Sequence, residues 1–156
     1  MSDPIRLEDL PAFLDLVAHA VSHPQAVGPI RRTAEHIAGE LGRGFQSSVA
    51  PDGTSWPPLK RKRPRGHNPG TRPLIDTGEM MLSTISDASG HIEEIADDSL
   101  TYGTANRNVH GHVLAAIHQF GSQHIPARPF VGWTEASTDY ATEAVADHLL
   151  AQVDAI

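Results

Sequence analysis

The chain of 156 residues contains no cysteine. This absence excludes disulfides, thiolate metal ligands and cysteine nucleophiles, and it is typical of a protein made in a reducing compartment. Aromatic residues make up only 5% of the chain, so we expect a modest hydrophobic core. No apolar run approaches the length of a membrane span, and the first ten residues lack the basic-then-apolar order of a signal peptide. The sequence therefore predicts synthesis in the cytoplasm and no membrane partner.

Positive charge is scarce and unevenly placed. The net charge of −7 argues against nucleic-acid binding by bulk attraction. The segment 50–73 is rich in proline and glycine and predicts a long exposed loop, with a turn at Pro51-Asp52-Gly53 and Trp56 as its one large apolar anchor. Three interpretations stay open for its basic residues: a solvated loop, docking onto an acidic protein, or contact with DNA phosphates. The basic residues are Lys60, Arg61, Lys62, Arg63, Arg65 and Arg72.

Apolar residues recur at helical spacing in several segments. An N-terminal helical extension is predicted over 1–27, and a second helix over 30–45, where glycines weaken it or mark the close approach of a neighbour. A short helix follows, capped by Asp76 or Thr77, and another helix is expected to stop at Gly121. The apolar positions of the first pattern are Leu7, Leu10, Phe13, Leu14, Val17 and Val21.

The remaining pattern combines a last helix with short strands. Thr134 can cap this helix, which is expected to run to about Val153. Asp97-Asp98 is the predicted turn between two of the strands. We therefore predict a single α+β domain over 1–156, with N-terminal helices and a C-terminal helix packed on a small, mainly antiparallel sheet. The strands are predicted at 84–86, 91–96, 99–104 and 130–131.

Several histidines and carboxylates are candidates for a metal site or a catalytic site. His110, His112 and His118 are the candidate metal ligands, but their spacing matches no known zinc pattern. The pairs Glu93-Glu94 and Asp97-Asp98 place neighbouring side chains on opposite faces of a strand, so neither predicts a catalytic dyad. No nucleotide-binding or nucleophile motif is present. We predict no catalytic site and no cofactor, while a histidine-dependent metalloprotein or hydrolase stays open as an alternative.

A rigid arm follows the predicted stop at Gly121. Pro126 and Pro129 enclose Ala127 and Arg128, and each proline restricts both its own φ and the residue before it. An arginine held on such an arm suits an interface between proteins. The alternative is a stiff connector in which Arg128 makes an internal ion pair.

Four motifs in this order and spacing resemble the phage virion morphogenesis, or tail completion, family of tailed bacteriophages and Mu-like prophages. The most specific feature is IHQFG followed by IPARPF, and the resemblance covers roughly 31–150. The sequence departs from the family pattern at 106–112, NRNVHGH, where the family has Tyr-Ala before a helix. The motifs are PDGTSWPPLK at 51–60, LIDTGEMMLSTI at 74–85, LTYGTAN at 100–106 and AAIHQFGSQHIPARPFVGW at 115–133.

The resemblance implies a non-enzymatic structural protein of the virion. Such a protein acts at the tail end or neck, completes the tail and joins it to the DNA-filled head. A ring of identical subunits is implied, with six copies expected from the symmetry of tails. The implied partners are other copies of the chain, tail tube or tail terminator proteins, head connector or neck proteins and, where a ring lines the channel, packaged DNA. Synthesis would take place in the host bacterial cytoplasm.

The resemblance also implies roles for particular residues. Arg128 would face outward or bridge subunits, and Phe130 would insert into the core. The basic residues of 50–73 would form a docking loop. The implied interface residues are Gln119, Pro126, Arg128, Pro129 and Phe130. The implied turn and anchor residues are Asp52, Gly53, Trp56, Gly78 and Gly121.

Overall fold

The computed structural model confirms the α+β class. It describes residues 25–61, 63, 71–107 and 110–154, together with Pro11, Leu14, Asp15, Ala18 and Ser22. This described part contains an antiparallel pair of strands with helices before and after it. The elements are α1 (Val27–Ser47), α2 (Glu79–Ile85), β1 (His91–Ile95), β2 (Leu100–Thr104), α3 (Leu114–Phe120) and α4 (Glu135–Asp154).

The N-terminal extension lies largely outside the described residues. The described positions within 11–22 are helical and exposed, and the apolar Leu14 is 55% exposed. The other apolar positions predicted for this helix are outside the described part.

Helix α1 follows the predicted apolar pattern. Its buried side is formed by Ala34, Ile37, Leu41 and Phe45, which recur every three or four residues and therefore share one face. Gly44 marks the predicted close approach, because a Cβ at this position would lie 2.9 Å from the carbonyl oxygen of Val49. The glycines of α1 therefore include one that the packing requires.

The sheet consists of β1 and β2 in antiparallel register, from His91 opposite Thr104 to Ile95 opposite Leu100. The connection passes through Asp97 and Asp98 as predicted. Helix α2 lies against the start of β1, where Ser83 Oγ is 2.9 Å from Thr104 Oγ1. These contacts fix the hairpin on the helices.

Two predicted strands are wrong. Thr84 and Ile85 end α2, and the Thr84 hydroxyl donates to the carbonyl of Met80 at 2.7 Å. Phe130 and Val131 are extended but form no strand, because their N–H groups donate to the side chain of Gln119. Short runs of β-branched and apolar residues do not distinguish these states by periodicity.

The start of α2 also differs from the prediction. The helix begins after Gly78, which has φ +88°, and no side-chain cap hydrogen bond is made from this position. Thr77 contributes by accepting a hydrogen bond from the Glu79 N–H at 3.3 Å, whereas Asp76 lies beside Arg63. A glycine with positive φ therefore takes the place of the predicted Asp76 or Thr77 cap.

The core forms around three aromatic rings. The centroid of Phe45 lies 5.6 Å from that of Trp56 and 5.4 Å from that of Phe130. The predicted exposure of 50–73 is wrong at its two ends, since Ala50 and Pro73 are buried, whereas Trp56 is buried as expected of an apolar anchor. Ala50 and Trp56 therefore belong to the core that positions the candidate site.

Candidate functional site

Two distant segments form a junction through side-chain donors and backbone acceptors. Trp56 Nε1 donates to the carbonyl of Pro129 at 2.7 Å. In return, Arg128 Nε donates to the carbonyl of Pro57 at 2.8 Å and Nη2 to that of Pro58 at 3.1 Å. Pro57 and Pro58 lie outside the helices and strands, so their carbonyl oxygens are available as acceptors. We call this the Trp56–Arg128 junction.

Helix α3 holds the rigid arm through its last turn. Gln119 Oε1 accepts the N–H groups of Phe130 and Val131 at 3.0 and 3.1 Å, and its Nε2 donates to the Val131 carbonyl at 2.7 Å. The His118 carbonyl accepts the Arg128 N–H at 2.7 Å. Gly121 ends the helix with φ +77°, and a Cβ there would lie 2.8 Å from Ala127 N. The His-Gln-Phe-Gly motif therefore ends α3 and holds the segment that runs back along it.

The structure locates most of the implied interface residues inside the chain. Arg128 is 4% exposed, so the expectation that it faces outward is wrong. Phe130 is 3% exposed and lies in the core as expected, and the Gln119 amide is engaged internally. Pro126 is half-buried, and Pro129 is the exposed member of this set. An interface role for the arm stays a prediction.

An exposed phenylalanine was not anticipated from the sequence. Phe120 is one of the apolar residues at helical spacing before Gly121, and it is 80% exposed. It borders an apolar groove of about 370 Å³ together with Ile92, Val113 and Val131. We call these four residues the Phe120 surface. One indication of this exposure is present in the sequence. Phe120 stands directly before Gly121, at the end of the helix, where a side chain need not face the core.

The basic residues of the loop do not share one environment. Lys60, Arg61 and Arg72 are exposed, as predicted. Arg63 is instead drawn inward: its Nε lies 3.7 Å from Asp76 Oδ1, and its Nη2 donates to the Arg72 carbonyl at 2.7 Å. Lys62 and Arg65 lie outside the described residues, and the docking role stays a prediction.

Behind the junction lies a charged cavity of about 520 Å³. Burial, followed by the charge of Arg128, lowers the pKa of His118, and burial also lowers the pKa of the Arg128 guanidinium. The Nδ1 atom of His118 is buried and has no hydrogen-bond partner among the residues that the structure describes. The charged and titratable residues lining this cavity are Arg63, Arg107, Arg128, His118, Asp76 and Glu79.

The implied turn and anchor residues adopt geometries that suit those roles. Asp52 Oδ1 accepts the Thr54 N–H at 2.9 Å, and this hydrogen bond lowers the pKa of the Asp52 carboxyl. Gly53 has φ +84°, a backbone conformation that favours glycine. Trp56 is 5% exposed. The turn therefore delivers Trp56 to the core.

The candidate metal ligands are not brought together. Within the described ranges, no group of three or more histidine, aspartate or glutamate side chains could hold a metal ion. His110 and His112 are exposed, whereas His118 is half-buried at the charged cavity. In the part of the chain that the structure describes, no helix has the length and apolar character needed to cross a membrane.

The comparisons with known proteins agree with the sequence motifs. The model of the phage virion morphogenesis family matches residues 8–150 of this chain. No curated protein and no solved structure gives a significant match.

Proposed function

The chain belongs to the phage virion morphogenesis family, and from that membership we propose that it completes the phage tail and joins it to the DNA-filled head. Its role there is structural, and several identical copies form a ring at the tail end or neck. Six copies would match the symmetry of the tail. The partners in this proposal are tail tube or tail terminator proteins on one side and head connector or neck proteins on the other.

The observation that carries the proposal is the division of the motif residues into two sets. One set contacts the chain's own core and backbone, and it consists of Trp56, Gln119, Arg128 and Phe130. Phe120 belongs to the same motif but is 80% exposed. A large exposed apolar side chain beside an apolar groove is typical of a surface that meets another protein.

The exposed cations Lys60 and Arg61 support a second contact. They lie on a chain whose net charge is −7, so they form a local positive site on an acidic protein. In a ring this site would be repeated once per subunit and would produce a basic band. We propose that this band docks against an acidic neck protein or faces the DNA that passes through the joint.

The direct test is electron microscopy of lysates from the parent phage with this gene deleted and then supplied in trans. The deletion should yield DNA-filled heads and unattached tails, and the wild-type gene should restore virions. Phe120→Ser should produce folded protein but few joined particles, because the exposed ring is removed without touching the core. Leu82→Ser is the matched control, since Leu82 is also exposed, at 45%, but lies on α2 and borders neither the Phe120 groove nor the charged cavity.

Each outcome separates the parts of the proposal. Intact virions from the deletion lysate would reject a role at the joint. Full rescue by the Phe120→Ser gene would retain the role at the joint but reject the Phe120 surface as a contact that assembly needs.

A further inference from the structure

We propose that the charged cavity behind the Trp56–Arg128 junction is a carboxylate-binding site, and that an acidic side chain from α4 of a neighbouring copy fills it in the assembled protein. The carboxylate site stands on the geometry of the single chain. The choice of a second copy as the occupant rests on the proposed ring.

The first observation is a buried cation without a counter-ion. Arg128 is 4% exposed, and no carboxylate of a described residue lies within 4.0 Å of its guanidinium. Its hydrogen bonds from Nε and Nη2 go to the neutral carbonyls of Pro57 and Pro58. Burying a charge is costly unless it is paired with an opposite charge. Nη1 makes no hydrogen bond to the described residues, which leaves a donor for an anion.

The second observation is the composition of the cavity wall. Three guanidinium groups and two carboxylates line the cavity, and the Asp76 carboxylate is already beside Arg63. The other carboxylate belongs to Glu79, which is exposed at the first turn of α2. Within the described part of the chain, the buried Nδ1 of His118 has no hydrogen-bond partner. A carboxylate entering the cavity would therefore meet an unpaired guanidinium and an imidazole nitrogen that can donate.

The shape favours a side-chain carboxylate over a nucleic-acid phosphate. The cavity holds about 520 Å³, and its central cation, Arg128, is almost completely buried. A single aspartate or glutamate side chain is small enough for a cavity of this volume, whereas a phosphate of a polynucleotide carries the continuous backbone on both sides and would have to bring it along. Arginine binds carboxylates through two parallel hydrogen bonds, which adds geometric selectivity.

Helix α4 supplies suitable carboxylates. Its 20 residues contain no lysine or arginine, so its acidic side chains have no cation on their own helix. Four of them are exposed at intervals of four residues, which sets like charges on one face and destabilises the isolated helix. A cationic partner would relieve that repulsion. These residues are Glu135, Asp139, Glu143 and Asp147.

The donor helix and the acceptor cavity lie on different surfaces. No residue of α4 lines the cavity, so within one chain these carboxylates do not fill it. Contact between copies would pair two unlike surfaces, and such a heterologous contact forms a ring when the rotation closes. This arrangement is consistent with the ring in the proposed function.

The site is tested by NMR of the full chain, with acetate as the probe at constant ionic strength. The side-chain Nε–H signal of Arg128 should shift saturably as acetate replaces chloride. The matched control is Arg43, which is exposed on α1 and should not shift saturably. An Arg128 signal that stays fixed, or that moves in parallel with Arg43, would overturn the carboxylate site.

The occupant is tested by dilution of the same protein without acetate. Self-association should perturb the Arg128 signal, and the quadruple variant Glu135→Gln/Asp139→Asn/Glu143→Gln/Asp147→Asn should weaken that association about tenfold or more, the loss of one charge-assisted hydrogen bond. Glu35→Gln, an exposed change on α1, is the control. A signal that does not depend on concentration, or equal association in all proteins, would reject the second copy.

These outcomes are independent of the microscopy. Unattached heads and tails from the deletion lysate, together with an Arg128 signal insensitive to acetate, would preserve the proposed function and reject the inference. Intact virions together with an Arg128 signal that responds to acetate would reject the proposed function and retain the carboxylate site.

Discussion

Gln119 connects helix α3 to the arm by using both ends of its amide group. Two backbone N–H groups donate to its oxygen, and its nitrogen donates to one carbonyl. Gln119→Leu keeps a similar volume but leaves these backbone groups without partners. We expect a loss of about 2 kcal/mol or more in the free energy of unfolding, measured by urea denaturation.

The control for this change is Gln123→Leu, at an exposed position in the same connection. It should alter the free energy of unfolding by less than about 0.5 kcal/mol. If the two variants have equal stability, the bonds made by Gln119 do not hold the arm.

His118 makes stability depend on pH through its lowered pKa. Burial and the charge of Arg128 both disfavour the protonated ring in the folded chain. The unfolded chain therefore binds a proton more readily as the pH falls below the ordinary value of 6.5. The contribution to stability is complete above that pH and is lost as the pH falls toward the lower folded pKa. The other charged groups of the cavity are Arg63, Arg107, Asp76 and Glu79.

The measurement is the free energy of unfolding of wild type and His118→Asn between pH 7 and pH 5. The variant should lose less stability than wild type over this interval, since it has no imidazole to protonate. His124→Asn, at an exposed position, should keep the wild-type dependence. Parallel curves for wild type and His118→Asn would contradict the assignment.

The first turn of helix α4 carries both its N-terminal cap and its hydrogen bonds to α1. Thr134 Oγ1 accepts the Ser137 N–H at 2.9 Å, as the sequence predicted for a cap. The same hydroxyl donates to Glu40 Oε2 on α1 at 3.2 Å, and Ser137 Oγ donates to that oxygen at 2.6 Å. The cap of one helix is therefore also its attachment to another.

Thr134→Ala should lower the free energy of unfolding by about 1 kcal/mol or more, because it removes the cap and one bond to Glu40. Urea denaturation measures this loss. Thr142→Ala is the control, since its hydroxyl bonds only to the Thr138 carbonyl within the same exposed helical turn. A larger loss from Thr142→Ala would mean that the first turn of α4 is not the critical one.

Elements were predicted correctly where residues close in sequence determine them. The long pattern of α1, the stop at Gly121 and the cap at Thr134 were all predictable, because each depends on residues close in sequence. The strands predicted at 84–86 and 130–131 were wrong because short runs of these residue types are compatible with more than one backbone conformation. Their states depend on contacts with distant parts of the chain.

For the molecule as a whole, the class of fold was predictable but the orientation of its key side chains was not. Arg128 was expected to face outward, to bridge subunits or to make an internal ion pair, and it lies inside, where it donates to the carbonyls of Pro57 and Pro58. Those acceptors are 71 and 70 residues away in sequence, beyond any local pattern.

The Trp56–Arg128 junction also has a consequence for the order of events on the ribosome. Trp56 is synthesised 73 residues before Pro129, its hydrogen-bond partner. At usual elongation rates the interval between them is roughly 4 to 15 seconds. Throughout that time Phe45 and Trp56 lack the third ring of their core, Phe130. The aromatic core is therefore completed only after Phe130 has been synthesised, so the nascent chain carries two unpacked aromatic rings for that interval.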